Sequence, residues 1–314
     1  MSVRFLPIAL LSLGAIASTT LAQTDSHPYV VNASGVGYRS LADAVGAIGD
    51  GTGTISIAPG TYHQCAVQQS GNISYRARQA GSVIFDGTTC EGKAALVLRG
   101  RTASVDGIIF QNLRVADGNG AGIRLERGNL DVTHAMFRDS EEGILTHDDP
   151  ASSIRIDQST FAHLGRCDRD LSCAHSIYVG DYGSLSVTRS VFKQGTGGHY
   201  VKTRSAQVNI VDNSFDDSAG HLTNYMVDLS NGSSGLIANN EMEQGRDKDN
   251  YSAFITVAPE GRNHDSSNLI VRGNTARFVP GLDRASTFVA NWTADRVTII
   301  GNQIAPGIKL TDRR

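Results

Sequence analysis

The chain of 314 residues carries 28 Lys and Arg against 31 Asp and Glu, a formal net charge of −3. That near-neutral balance, with no basic stripe and no basic amphipathic helix, excludes nucleic acid and a membrane surface as partners. Past the N-terminus no apolar run is long enough to span a membrane.

Residues 1–22 read as a secretory signal peptide. Arg4 gives the charged start, Phe5 to Ile16 the apolar stretch, and Thr20-Leu21-Ala22 a cleavage site near Ala22. The mature chain is therefore expected to be soluble, secreted or periplasmic, and monomeric. Residues 23–305 read as one repetitive domain. It opens with YRSLADAVGAIGDG, an amphipathic helix expected at about 39–49, with Leu41, Ala42, Val45 and Ile48 on one side and a glycine at its end. The strand and turn GTISIAPGTYHQC follow. Cys65, Cys90, Cys167 and Cys173 are an even set in an exported chain, which implies two disulfides. Three pairings are formally open, and Cys65–Cys90 with Cys167–Cys173 is preferred. CDRDLSC fits no common zinc spacing.

The rest repeats. SIYVGDYGSLSVTRSVF has the apolar frame Ile177, Val179, Leu185, Val187 and Phe192. The next copy places Val201, Thr203, Val208, Ile210 and Phe215 in that frame, and the one after places Val227, Leu229, Gly235, Ile237 and Met242. Earlier copies begin at Ile123 and Ile144. Each copy holds two or three short alternating strands divided by Gly, Asn, Ser or Asp. The same in-register pattern recurs without reversal, which demands coils stacked in one direction around a continuous core. A slot before the last strand of each copy reads Ser159, Ser190, Asn213, Asn240, Asn274, Asn302. Turn chemistry explains these residues, with side chains bonding between copies. Residues 306–314 continue no frame and read as a short tail.

The opening helix, the ISIAPGTY entry and the SxF/NxF coils resemble right-handed parallel β-helix proteins of the pectate-lyase-like superfamily. The resemblance covers nearly all of the mature chain. It implies an all-β, single-stranded right-handed parallel β-helix, a solenoid, with an N-terminal capping helix. That superfamily holds polysaccharide lyases, glycoside hydrolases, carbohydrate esterases, epimerases and non-catalytic phage and surface proteins, so the fold does not choose an activity.

Strand alternation gives the outer face. If Ile177 and Val179 point inward, Tyr178 points outward, and so do Lys202 and Arg204 in the next coil. One outward row then runs Leu145, Tyr178, Lys202, Asp228, Thr256. A second runs His147, Gly180, Arg204, Ser230, Ala258, with Asn231 just beyond. At the preceding turn a third runs Glu142, His175, His199, Tyr225, Ala253. Individually these residues have plain explanations. Lys202 and Asp228 can be a surface ion pair worth about 0–1 kcal/mol, and the histidines can be turn residues. Their convergence on three coils points to a site instead.

The chemistry that fits is β-elimination on a uronate-containing glycan. The sugar carboxylate must be neutralised, a proton removed beside it, and the leaving oxygen protonated. His199, Lys202, Arg204 and Tyr225 are the expected catalytic residues: Lys202 and Arg204 neutralise, His199 is the base, and Tyr225 or Tyr178 is the acid or the alternative base. His175, Tyr178, Asp228, Asn231 and His147 are the expected substrate contacts. The expected partner is an anionic polysaccharide or oligosaccharide, with no nucleic acid. A glycoside hydrolase would need two flanking carboxyls, and only Asp228 lies in the cluster. A non-catalytic glycan-binding protein would use the same face. No cofactor is expected: Glu142, Asp148 and Asp149 offer oxygens for Ca²⁺, but Asp-Asp-Pro is ordinary turn sequence. Asp216, Asp217 and the RDKDN run at 246–250 read as solvated loop charge.

Overall fold

The structure is a computed structural model and describes residues 1–2 and 26–314. The expected signal peptide lies almost wholly outside the described residues. From Thr52 to Arg313 the chain winds through three sheets in turn, so that every third strand is a neighbour. One coil is Ile177–Val179, Tyr182–Thr188 and Val191–Lys193, and the next begins at Val201–Thr203. Twelve strands form one sheet and ten form each of the others. Among the described strands pairing is parallel, except where Tyr29–Val31 lies antiparallel to Val36–Tyr38 and to Thr52–Ile57; two isolated bridges, Cys90 with Ala94 and Arg166 with Ala174, are also antiparallel. This is an all-β parallel solenoid.

The apolar frame fills its interior. Ile177, Val179, Leu185, Val187 and Phe192 are all buried, as are their equivalents one coil on. Because each coil repeats the register of the last, like residues stack on like. Phe85, Phe110, Phe137, Phe161, Phe192 and Phe215 form a column with successive ring centroids 4.8–5.8 Å apart, the range in which offset rings attract.

The Ser/Asn slot is a second column. Ser159 N donates to Ser190 Oγ, Ser190 N to Asn213 Oδ1, Asn213 N to Asn240 Oδ1, Asn240 N to Asn274 Oδ1 and Asn274 N to Asn302 Oδ1. The residue before each rung bends the chain through the left-handed region: Gln158, Arg189, Asp212 and Asn239 have φ of 47–59°, and glycines serve at 273 and 301. Side-chain residues there cost about 1–2 kcal/mol each. The bonds across the corner offset that cost.

The helix Leu41–Ile48 starts at Ser40, whose Oγ accepts from Asp43 N. It buries Leu41, Ala44 and Val45. Ala42, expected inward, faces out: one residue from Leu41 is a quarter turn, whereas Ala44 and Val45 return to the same face. Residues 306–314, expected as a tail, contribute the strand Ile308–Arg313, which pairs parallel with Ser286–Asn291. The disulfides are Cys65–Cys90 and Cys167–Cys173, and paired cysteines fit an oxidising compartment. Among the described residues no helix is long and apolar enough to cross a membrane.

Candidate functional site

The sheet containing Ile177–Val179 carries the outward rows. Its register aligns Leu145 with Tyr178, Tyr178 with Lys202, Lys202 with Asp228 and Asp228 with Thr256. At the turn before these strands, His175 stacks on His199 with centroids 4.9 Å apart, and His199 on Tyr225 at 5.4 Å. His175 also meets Tyr178 edge-on at 5.3 Å. The two rows therefore touch, and the expected cluster is brought together.

It is drier than a surface pair. The Lys202 side chain is 9% exposed and that of Asp228 2%. Lys202 Nζ and His199 Nε2 lie 3.4 and 3.5 Å from the same oxygen, Asp228 Oδ2. Ser230 Oγ and Thr256 Oγ1 donate to the Asp228 carboxylate at 3.0 and 2.8 Å. Losing Lys202 would leave a buried carboxylate short of countercharge, a cost that an exposed pair does not carry.

Sequence reasoning missed Glu260. Its carboxylate accepts from Lys202 Nζ through one oxygen and from Arg204 Nη2 through the other. It comes from the corner 258–268, between the strands Ala253–Val257 and Leu269–Arg272, which folds back across two coils. His264 Nε2 of the same corner lies 3.0 Å from Asp181 Oδ1. Alternation fixes directions only within strands, so the one available signal was the length of this corner. Asn231 holds this loop: its carbonyl accepts from Asn263 N and His264 N, and its Nδ2 approaches Gly261 O.

Arg204 Nη1 donates to Tyr178 Oη, and both Arg204 and Lys202 lie over the Tyr178 ring, 5.0 and 5.6 Å from its centroid. Tyr225 Oη accepts from Asn250 Nδ2 at 2.7 Å and lies 3.3 Å from Ser252 Oγ. His147 is exposed, at the rim of a cleft of about 330 Å³ that Leu145, Tyr178 and Arg204 also line.

The loop carboxylates weighed for Ca²⁺ serve turns. Asp148 accepts from Asp181 N, and Asp149 from Gly128 N and Ser152 Oγ. The charge assigned to solvated loops is partly interior: Asp217 and Lys248 pair at 3.0 Å with both side chains fully buried.

Burial, then the neighbouring His199, Lys202 and Arg204, hold the His175 imidazole well below the ordinary value. Burial, then Lys202 and Lys248, do the same to His199. His175 Nδ1 accepts from His199 N at 2.9 Å, so its proton sits on Nε2. In neutral His199 the proton belongs on Nε2, facing Asp228. Nδ1 then keeps its lone pair in a buried space with no hydrogen-bond partner. Glu142 closes this row. Its Oε1 accepts from His175 N, Oε2 has no partner, and burial raises its carboxyl well above the ordinary value.

These shifts set a pH dependence. Unfolded, the two imidazoles protonate near 6.5. Folded, they resist, so below that pH the unfolded chain binds more protons and stability falls as pH drops. Glu142 acts oppositely, its contribution being lost as pH rises above 4.5. Between pH 7.5 and 5.5 the melting temperature of the wild type should fall more steeply than that of His199→Gln, which binds one proton fewer when unfolded. Parallel pH profiles for the two proteins would contradict a neutral, buried His199.

No protein family matches the chain and no curated protein does. Solved structures do. An alginate lyase from Paenibacillus sp. str. FPU-7 superimposes with a TM-score of 0.55 at 17% identity, covering 87% of this chain and 97% of its own. ORF18 of Geobacillus virus E2 gives 0.52 at 13% identity, covering 86% of this chain and 57% of its own. At these identities the likeness is one of fold. What it shows is the parallel β-helix fold.

Proposed function

We propose that this is an exported, carbohydrate-active protein, a right-handed coil capped by the helix Leu41–Ile48, that cleaves a uronate-containing glycan by β-elimination. One observation carries the reading: Lys202 and Arg204 converge on a single carboxylate, that of Glu260, through both of its oxygens. A uronate presents the same group. Glu260 is then a stand-in that the substrate displaces. With its carboxylate neutralised, the sugar loses the adjacent C–H proton more readily, and the electron pair left behind expels the glycosidic oxygen. Tyr178 is the proton carrier in this reading. Its oxygen already accepts from Arg204, and two cations against the ring reduce the cost of charge on it while protons move. As the phenolate, its own proton released to solvent beforehand, it takes the proton from carbon; as the phenol so formed it gives that proton to the departing oxygen and returns to the phenolate. His199, whose free lone pair is buried, positions Asp228 and Lys202. The fold shared with an alginate lyase supports this class of reaction.

The test is incubation with a panel of uronate polymers. Ultraviolet-absorbing unsaturated ends are the expected product. New reducing ends without that absorbance would mean hydrolysis, and retention on polymer without product would mean binding alone. Either result overturns the elimination.

A further inference from the structure

A further cationic side chain, Arg124, lies in the same outward row, N-terminal to the cluster. The row runs Val97, Arg124, Leu145, Tyr178, Lys202. Arg124 and Lys202 are therefore three strand spacings apart, about 14 Å. Between them lies the cleft of about 330 Å³. Leu145 forms its apolar floor, Tyr178 and Arg204 one wall and Arg124 the other. Ser172 and Cys173, beside the Cys167–Cys173 bridge, close a side.

Arg124 is poised rather than spent. Its Nε lies 3.3 Å from Glu126 Oε1, and its two Nη groups hydrogen-bond to none of the described residues. Lys93 binds the same Glu126 oxygen at 2.9 Å, and Lys93 and Arg99 share Glu91. Three cations thus share two carboxylates beside the cleft's Arg124 end, while Asp148 supplies a carboxylate at the cleft itself. Within the row, Arg124 is flanked by Val97 and Leu145, both buried. A planar fork with open N–H groups next to an apolar floor suits a carboxylate on a sugar ring, because the guanidinium can bond both oxygens while the ring packs below. Across the cleft Asp148 Oδ1 accepts from Asp181 N, and its carboxylate faces the rim as an acceptor for sugar hydroxyls.

We propose that Arg124 binds a second carboxylate of the same glycan, so that an acidic oligosaccharide lies along the coil axis with one uronate on Lys202 and Arg204 and another on Arg124. This rests on the uronate reading above and adds the direction of the chain and the spacing of its charges.

The test titrates oligouronates of increasing length, from disaccharide to hexasaccharide, into wild type and Arg124→Ala by calorimetry. The wild type should gain about 10- to 100-fold in affinity once the oligomer reaches Arg124, the range of a charge-assisted hydrogen-bonded contact. Arg124→Ala should lose that gain and bind the shortest oligomers as the wild type does. Neutral oligosaccharides of equal length should show no such step in either protein. The same length dependence in both proteins would overturn the Arg124 site and leave the uronate reading standing. No binding of any oligouronate to the wild type would overturn both. An equal step with neutral sugars would mean that the cleft reads sugar rings and not charge, and that also overturns the proposal.

Discussion

Tyr178→Phe is expected to lower turnover of the cleaved polymer by about 10²–10⁴-fold, the usual contribution of a positioned proton carrier. The substitution is narrow. It keeps the ring that stacks edge-on with His175 and underlies Lys202 and Arg204. It removes one oxygen, to which Arg204 donates. Arg204 retains Glu260 in the free protein and the substrate carboxylate in the complex, so KM should change little. Tyr178 is only partly buried, so the melting temperature should move little as well. Steady-state rates from the absorbance of unsaturated ends, beside a thermal melt, decide the matter. A variant keeping more than half of wild-type turnover would place the proton transfer elsewhere, with Tyr225 next in line.

Asp217→Ala should be the costliest single change away from the site, at about 3–5 kcal/mol. Asp217 accepts from Lys248 Nζ, Tyr200 Oη, Thr223 Oγ1 and Gly245 N at 2.7–3.0 Å, and its side chain is wholly buried. Truncation strands the Lys248 ammonium in the interior with only Thr223 Oγ1, at 2.9 Å, still beside it. Burial already depresses Lys248 below its ordinary value, against the pull of Asp217. Without that carboxylate the amine should shed its proton more readily, so the loss should shrink as pH rises. Urea unfolding at pH 7 and pH 9 measures both effects. Replacing the pair together, Asp217→Leu with Lys248→Met, should recover much of the loss. A deficit below about 1 kcal/mol in the single variant would mean that the network relaxes or admits water. The pair also braces the turn row of His199 and Tyr225, since Thr223 bridges to Gly198 on one side and Lys248 on the other. His199 and Tyr225 follow within two residues.

What the sequence revealed follows from what a strand can encode. Ile177, Val179 and their equivalents in later coils fix inward and outward directions through a period of two. Parallel stacking then carries those directions from coil to coil, so the rows through Tyr178, Lys202 and Asp228 could be written before any coordinates. The Ser/Asn column was legible because its two-residue bend keeps a constant length from coil to coil. The longer corners obey no such pattern. Glu260 reaches Lys202 because residues 258–268 fold backwards, and Lys248 enters the interior from what reads as an ordinary charged run. The alternation of the site strands also says nothing of ring tautomers: that His199 Nδ1 is buried without a partner emerges only once Asp228 is in place.

The Ser/Asn corner has a further consequence. From Thr133 onward each bend between the twelve-stranded sheet and the sheet of phenylalanines uses the same short connection, as at 158–159, 189–190, 212–213 and 239–240. Variation in length is displaced to the other two corners, at 165–176, 217–226 and 258–268, for example. Both of these border the sheet that carries Lys202. The solenoid thus has a conserved-length spine at the back and an editable rim at the front. Loops can be exchanged there, and whole coils duplicated or removed between spine bends, without disturbing the register of the rest. Such a chassis would let recognition change by grafting rim segments while the interior columns stay as they are.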